Sequence, residues 1–149
     1  MYRLFCVALL AILVSSTAGL DAQQKPNPSL SARDVVALQL EALQQKSAEG
    51  LLQVWEFAHP ANKALTGPLE RFALMLNAPN YKILLGHKDA EIKPVLEEDN
   101  VAIFEVTVTG AEGGVVIYRW GLRKLDDGEQ KGAWMTVTVS PPFGTGNEI

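Results

Sequence analysis

The sequence is short of the residue types that most often carry chemistry. Its 149 residues include one cysteine, Cys6, and two histidines, His59 and His87. One thiol excludes an intrachain disulfide framework and a zinc site built from several thiolates. No nearby third ligand completes a metal site based on the two histidines. We therefore expect neither a metal nor a cofactor.

Positive charge is also scarce. The chain has 13 lysine and arginine residues against 17 aspartate and glutamate residues, and its basic residues form no cluster. A surface that follows nucleic-acid phosphates needs such residues gathered on one face, so we expect no nucleic-acid partner. The motifs of a P-loop, a dinucleotide fold, a nucleophile elbow and a calcium loop are absent as well. The sequence motifs therefore indicate no particular reaction. The 48% share of apolar residues is enough for one compact core.

The longest apolar run lies at the start of the chain. Arg3 is followed by an apolar stretch over residues 4–14 and then by the small residues Ser16, Thr17 and Ala18. This is the layout of a secretory signal, and the run is too short for a permanent membrane anchor. We predict a signal peptide over 1–18 and an exported protein, secreted or periplasmic/lumenal, with no stable membrane span after cleavage. An uncleaved anchoring helix is the alternative.

Helical periodicity dominates the first half of the remaining chain. A flexible leader is predicted over 19–30, because it is polar, contains proline and has no periodicity. A first helix over about 32–46 begins with a capping box made by Ser31 and Asp34. A second helix over about 51–58 is predicted to end before Pro60. A third is predicted to be capped by Thr66 or Gly67, and one more short apolar turn covers 81–85.

From about residue 90 the apolar period changes to two, which is typical of strands. Four strands are predicted, over about 90–96, 101–109, 115–125 and 133–139. Pro94 places the first of them at a sheet edge. Helices followed by an antiparallel meander indicate an α+β fold in which the helices cover one face of the sheet. We predict one domain over 31–140 and a flexible C-terminal tail over 141–149.

The short loop at 110–114 sets the register of the central hairpin. It pairs Thr109 with Val115, which places Glu105 opposite Arg119. The face predicted to lie under the helices carries Phe104, Val106, Val108, Val116, Tyr118 and Trp120. In the last hairpin, pairing of residues 125 and 132 predicts neighbours Leu122 with Met135 and Arg123 with Trp134.

The opposite, outer face of the sheet is predicted to be a mixed surface. Its predicted members are Ile103, Val115, Ile117 and Trp134, with Glu105, Arg119, Arg123, Thr107, Thr109 and Thr136. Exposed apolar patches often mark contact surfaces, so we predict a homodimer through this face. The alternatives are an ordinary solvated face, or cover by the leader or by the tail of the same chain.

Three segments carry a family resemblance. They read FAHPANKALTGPLERF, YRWGLRK and GAWMTVTV. Over about 30–139 the chain resembles an uncharacterised family called domain of unknown function 4864, and its layout resembles the cystatin-like, or nuclear-transport-factor-2-like, superfold. The resemblance implies N-terminal helices packed on a curved four-stranded antiparallel sheet, and an exported protein. It also implies a cone between helices and sheet that commonly holds an apolar small molecule, and it implies no catalytic residue.

Polar and aromatic residues that could line such a cone are the candidate binding residues. They are Trp55, Asn62, Arg71, Tyr118 and Trp120. Core packing is the alternative for the aromatic residues, and a tied-down turn is the alternative for the segment around residue 62.

Acid–base candidates are His59, Glu70 and His87. Histidine has an ordinary pKa near neutrality, and a carboxylate can act as a base. Capping of helix ends is the alternative for these side chains. We therefore hold two hypotheses: a non-enzymatic domain that binds a small ligand or a protein, and a cofactor-free proton-transfer or hydrolytic enzyme. A carboxylate or histidine that reaches an open cavity would favour the enzyme.

Overall fold

The computed structural model describes residues 23–145, so the predicted signal peptide lies outside the described residues. Within this range the helices come first and the strands follow. The helices are α1 (Ala32–Gln44), α2 (Ala48–Glu56), α3 (Pro60–Thr66) and α4 (Leu69–Leu76), followed by a short 3-10 turn (Lys82–Leu84). The strands are β1 (Asp89–Glu97), β2 (Val101–Thr109), β3 (Val115–Lys124), β4 (Trp134–Val139) and β5 (Gly144–Thr145). The α+β prediction is confirmed.

The sheet is an open antiparallel meander in the order β1-β2-β3-β4, and β5 pairs with β3. Thr109 pairs with Val115 and Glu105 with Arg119, so the predicted register of the central hairpin is confirmed. β1 forms an edge as expected, and its register shifts just after Pro94. The proline therefore lies where a missing N–H interrupts no central ladder.

The helices cover the sheet face that the alternation predicted. Side chains of Phe104, Val106 and Tyr118 are fully buried against apolar residues of α1 and α2. The predicted capping box starts α1: the Ser31 hydroxyl accepts a hydrogen bond from the Asp34 N–H at 3.1 Å, and the Ser31 N–H donates to the Asp34 carboxylate at 2.8 Å. Local capping and strand alternation thus direct both layers toward one core.

The predicted register of the last hairpin is wrong by one residue. Lys124 pairs with Trp134 and Arg123 with Met135. Gly132 adopts a φ of 84°, and the backbone of Leu125 bonds to both residue 132 and residue 133. A glycine in this left-handed conformation is a common way to insert one extra residue into a hairpin.

A slip of one residue moves side chains to the other face of a strand. Trp134 consequently packs against the core, and Thr136 is buried there. Neither belongs to the outer sheet face, where both were predicted. Of the apolar residues predicted for the outer face, only those on β2 and β3 remain there: Ile103, Val115 and Ile117.

The segment between α2 and α4 also differs from expectation. α2 ends before Pro60, as predicted, but Pro60 also takes the first position of a further helix, α3, where its missing N–H costs nothing. Thr66 is the last residue of α3, and α4 begins at Leu69 after Pro68, without a side-chain cap. The prediction that Thr66 or Gly67 caps this helix is wrong. The Thr66 hydroxyl instead donates to the carbonyl of Asn62 at 3.1 Å.

Two alanine variants separate these capping roles. Ser31→Ala removes a true N-cap and is expected to lower the free energy of unfolding by about 1 kcal/mol. Thr66→Ala is expected to change it by less than about 0.5 kcal/mol, because its hydroxyl only bonds back within a finished helix. Urea unfolding followed by circular dichroism measures both. Equal losses in the two variants would contradict the assignment.

The predicted leader and tail are both partly described. The backbone of Gln24 exchanges two hydrogen bonds of 2.7 Å with the Gln53 side chain, which lies on α2. Beyond β4, the N–H of Phe143 donates to the carbonyl of Ile117 at 3.1 Å, just before β5. Over the described range, 23–145, no helix has the length and apolar character needed to cross a membrane.

Candidate functional site

A cavity of about 330 Å³ lies between the helices and β4. Every helix contributes to its wall, and the sheet contributes one residue of β3 and the last part of β4. Its apolar lining includes Leu43, Val54, Phe72, Leu76, Leu84 and Val139, and its polar lining includes Gln39, Asn62, Thr66, Tyr81, Thr136 and Thr138. Layered α+β folds leave such a space when the helices diverge from the sheet, and this one is large enough for a small molecule.

A closed network of hydrogen bonds forms the inner end of the cavity. The Trp120 Nε1–H lies 3.0 Å from the Gln39 Oε1 and 3.2 Å from the Thr136 hydroxyl. That hydroxyl donates to the same Oε1 at 2.6 Å, and the Gln39 Nε2 donates to the carbonyl of Val54 at 3.1 Å. Since the carbonyl can only accept, the orientation of the amide is determined. The network joins α1, α2, β3 and β4.

The backbone of Thr136 also holds α3 in place. Its carbonyl accepts from the His59 N–H at 2.8 Å and from the Asn62 Nδ2 at 3.2 Å, while its N–H donates to Phe57 at 2.8 Å. None of the residues of α3 is buried. Position 136 is therefore where β4 anchors this otherwise exposed helix at the rim of the cavity.

Two stacked tyrosines lie at the cavity: Tyr81 lines it, and Tyr118 packs against Tyr81. Their rings stack with centroids 6.1 Å apart; Tyr81 donates to the carbonyl of Val139 at 3.1 Å and Tyr118 to that of Asn80 at 2.7 Å. Burial raises the pKa of both phenols, and for Tyr118, where Tyr81 adds to the effect, the pKa rises to about 12. Both therefore act as neutral hydroxyl groups at physiological pH.

A second concavity, of about 620 Å³, lies between the end of α4 and the loop at 110–114, where Lys46 and Lys82 line it. This concavity is larger than the cavity beneath the helices, but none of the buried polar side chains of the described residues lines it. Convergent buried polar groups are what distinguish a binding site from a surface depression. The cavity beneath the helices is therefore the candidate site.

A family model described as a domain of unknown function (DUF4864) matches residues 26–139. The chain belongs to the DUF4864 family. This confirms the family that the segment around α3 suggested. Comparisons with curated proteins and with solved structures give no match. Because family membership assigns no activity here, the function of this DUF4864 protein has to be argued from its site.

Only part of the predicted binding set meets at the cavity of this DUF4864 domain. Asn62 and Trp120 line it, and Tyr118 packs behind it. Trp55 lies outside the lining, with the Lys63 ammonium group 3.9 Å from its ring centroid. The fifth residue, at position 71, is exposed, and its side chain lies along Gly67. Trp55 thus contacts α3, and Tyr118 belongs to the core.

The three acid–base candidates lie apart from one another and outside the cavity lining. His59 caps α3 by accepting the Ala61 N–H at 3.1 Å, and Glu70 is exposed in the first turn of α4. His87 is buried with its Nδ1 at 2.7 Å from the carbonyl of Leu84, so this nitrogen carries the proton and donates. Across residues 23–145, no three potential metal ligands gather into a site.

Sequence reasoning missed Gln39 and Thr136, which form the centre of the network. A signal for Gln39 was present: it lies three and four residues after Val36 and Val35, on the stripe that α1 buries. An uncharged polar residue on a buried stripe needs a partner, which makes it a site candidate. No comparable signal identified Thr136, because its predicted face was the wrong one.

Acidification is expected to weaken the cap of α3. Burial, together with the positive charge of Arg123, holds the pKa of His59 below its usual value, and Asp126 opposes this shift. A lowered pKa in the folded state means that the contribution to stability is present above the ordinary pKa of about 6.5 and is lost as the pH falls through the folded value. Unfolding midpoints measured from neutral to mildly acidic pH should fall less steeply in His59→Asn, which keeps a neutral cap. Identical slopes would contradict this role.

Proposed function

We propose that this DUF4864 protein is an exported, non-enzymatic domain that binds a small, largely apolar molecule in the cavity between its helices and β4. The observation that carries the proposal is a mostly apolar cavity of about 330 Å³ with a buried hydrogen-bond network at its inner end. Small-molecule sites typically combine an apolar lining with a few placed polar groups. The layout is also compatible with the cystatin-like superfold, in which such a cone commonly holds a ligand.

The rim of the cavity supports access by a ligand from solvent. Leu65 borders the cavity and is 81% exposed, although it is a large apolar side chain. It belongs to α3, which has no buried residue and is followed by its C-cap, Gly67, with a φ of 81°. An apolar side chain at an opening adds to the apolar surface that a bound apolar molecule removes from water.

The chemistry of the cavity wall supports binding rather than proton transfer. General acid–base catalysis needs a titratable group within hydrogen-bond reach of the substrate. The polar side chains on the described wall are amides, hydroxyl groups and one indole, while His59, Glu70 and His87 lie elsewhere. These neutral groups can orient a bound molecule.

Blocking the cavity tests the proposal. Octanol is a suitable neutral probe, followed by shifts of backbone amide signals in two-dimensional NMR. Thr66→Phe places a bulky side chain on the cavity wall and is expected to weaken octanol binding by about tenfold or more. The matched control is Ala64→Phe, on the exposed side of the same helix, which is expected to bind like the parent. No saturable binding to the parent, or equal binding by both variants, would overturn the proposed site.

Export is a separate part of the proposal and is supported by residues 1–18 alone. We expect the mature chain to begin near Gly19. N-terminal sequencing of the protein recovered from its natural source tests this. An intact N-terminus in a soluble cytosolic fraction would contradict both the signal peptide and the location.

A homodimer through the outer sheet face also stays a prediction, now with a smaller apolar surface around Ile103, Val115 and Ile117. Ile117→Lys is expected to convert a dimer into a folded monomer, since the new charge would be buried without a partner. Light scattering decides the matter. A parent protein that is monomeric at high micromolar concentration would end this prediction.

A further inference from the structure

Asn62 lines the cavity, and its amide oxygen has no hydrogen-bond donor among the described residues. Its Nδ2 donates to the carbonyl of Thr136 at 3.2 Å. A carbonyl only accepts, so the nitrogen must face it and the Oδ1 must point elsewhere. Within residues 23–145 no group donates a hydrogen bond to this Oδ1, and the partly buried side chain lines the cavity. The Oδ1 is thus available to a donor on a bound molecule.

The inner end of the cavity differs from this rim. There Gln39, Trp120 and Thr136 satisfy one another, and each is at most 2% exposed. Apolar side chains, among them Leu43 and Leu84, surround this end. A hydrogen-bonding group on a ligand would gain little by displacing bonds that are already made, whereas an apolar body can fill the space between them. A ligand with one polar end is therefore expected to hold that end at the rim.

The same wall discriminates by charge. All of its polar side chains are neutral amides, hydroxyl groups or indole in the described chain. An ionised ligand would lose its hydration on entry and meet only these dipoles in return, which do not offset the cost of burying a full charge. A hydroxyl or carboxamide group has a much smaller desolvation cost, which a hydrogen bond to an amide oxygen offsets.

We infer that the cavity selects an uncharged amphiphile, with an apolar body inside and a hydroxyl or carboxamide end that donates to the Oδ1 of Asn62. This inference rests on the proposed binding function and names its ligand class. Asn62 binds the polar end of the ligand, and the neutral wall excludes carboxylates and ammonium ions.

A matched set of probes with one common tail tests the charge selection. Octanol and octanamide are expected to bind at least about tenfold more tightly than octanoate and octylammonium at neutral pH. NMR titration of the full-length protein measures the four affinities. Binding of all four with similar affinity would overturn the inference while leaving the proposed binding function intact. Binding of none would overturn the proposed function itself.

The role of Asn62 is tested with a tail whose end cannot donate. In Asn62→Leu, the affinity for octanol relative to chlorooctane is expected to fall about fivefold or more, because only octanol loses its acceptor. The carbonyl of Thr136 keeps the His59 N–H as a partner, so the fold should tolerate this change. Ala64→Leu, on the exposed side of α3, is the control and should keep the parental ratio.

A general loosening of the site would weaken both probes together and leave their ratio unchanged. That outcome would remove Asn62 from the recognition of the ligand. A fall confined to the ratio supports the assignment, whatever the absolute affinities are.

Discussion

Replacing Gln39 with leucine is expected to lower the free energy of unfolding by about 2–3 kcal/mol. Leucine matches glutamine roughly in volume, so the loss comes from hydrogen bonds rather than from an empty space. The Thr136 hydroxyl, on a residue that is 2% exposed, would lose its acceptor, now at 2.6 Å. The Trp120 N–H would keep only the longer contact of 3.2 Å. Leaving a buried polar group without its partner costs more than the bond itself contributes.

Urea unfolding of the parent and of the variant measures this loss, with the slope of the transition checked for constancy. Gln45→Leu is the matched control, because it makes the same change at the exposed end of α1 and is expected to stay within about 0.5 kcal/mol of the parent. A Gln39→Leu protein that unfolds at the parental midpoint would mean that the network contributes nothing to stability.

Gly50→Val is expected to be the most damaging substitution at the junction of α1 and α2, with a loss of about 3 kcal/mol. Gly50 is buried in the first turn of α2, and a Cβ there would overlap the carbonyl oxygen of Ala42, on α1. A backbone atom of a packed helix cannot rotate away, so the two helices would have to separate. Valine has a higher helix propensity than glycine, so the expected loss comes from this overlap alone.

Separation of α1 and α2 would reach the candidate site, because the Gln39 Nε2 bonds across this junction to the carbonyl of Val54. We therefore expect weaker octanol binding together with the loss of stability. Ala48→Val, on the exposed side of the same helix, controls for a valine in the first turn of α2 and should cost no more than about 0.7 kcal/mol. Chemical denaturation compares the two; similar small losses in both would show that the helices are not in close contact at Gly50.

Features that depend on neighbours in the chain were predictable. The capping box at Ser31 and Asp34 and the period-two strands depend on residues a few positions apart. The central hairpin register followed from a short loop, since its length limits the pairs that can form. α3 was missed because a helix of 7 residues without a buried face has no apolar period to read. For the same reason the sequence indicated Pro60 as the end of α2 but not as the start of α3.

The candidate site also combines residues that the sequence predicts with positions that only the tertiary structure sets. Asn62 and Trp120 could be named from the sequence, yet their meeting at one cavity depends on β4, whose register a single glycine shifts. Gln39 and Trp120 are 81 positions apart, and Thr136 reaches them only after the bulge at Gly132 turns it to the core. Trp55 and Arg71 were equally plausible by type, but their helices place them away from the opening.

The sequence by itself determined the fold class, the family and the faces of the central strands, because apolar periodicity and capping are local and repeat over many residues. Only the tertiary structure decided which polar groups face the cavity, because that depends on the packing of helices against a sheet and on one inserted residue in a hairpin. Helix packing and the hairpin register each change the free energy of folding by a small amount, which no short stretch of sequence predicts. The candidate site of this DUF4864 domain therefore depends on its tertiary packing, whereas its helix and sheet layers follow from its sequence pattern.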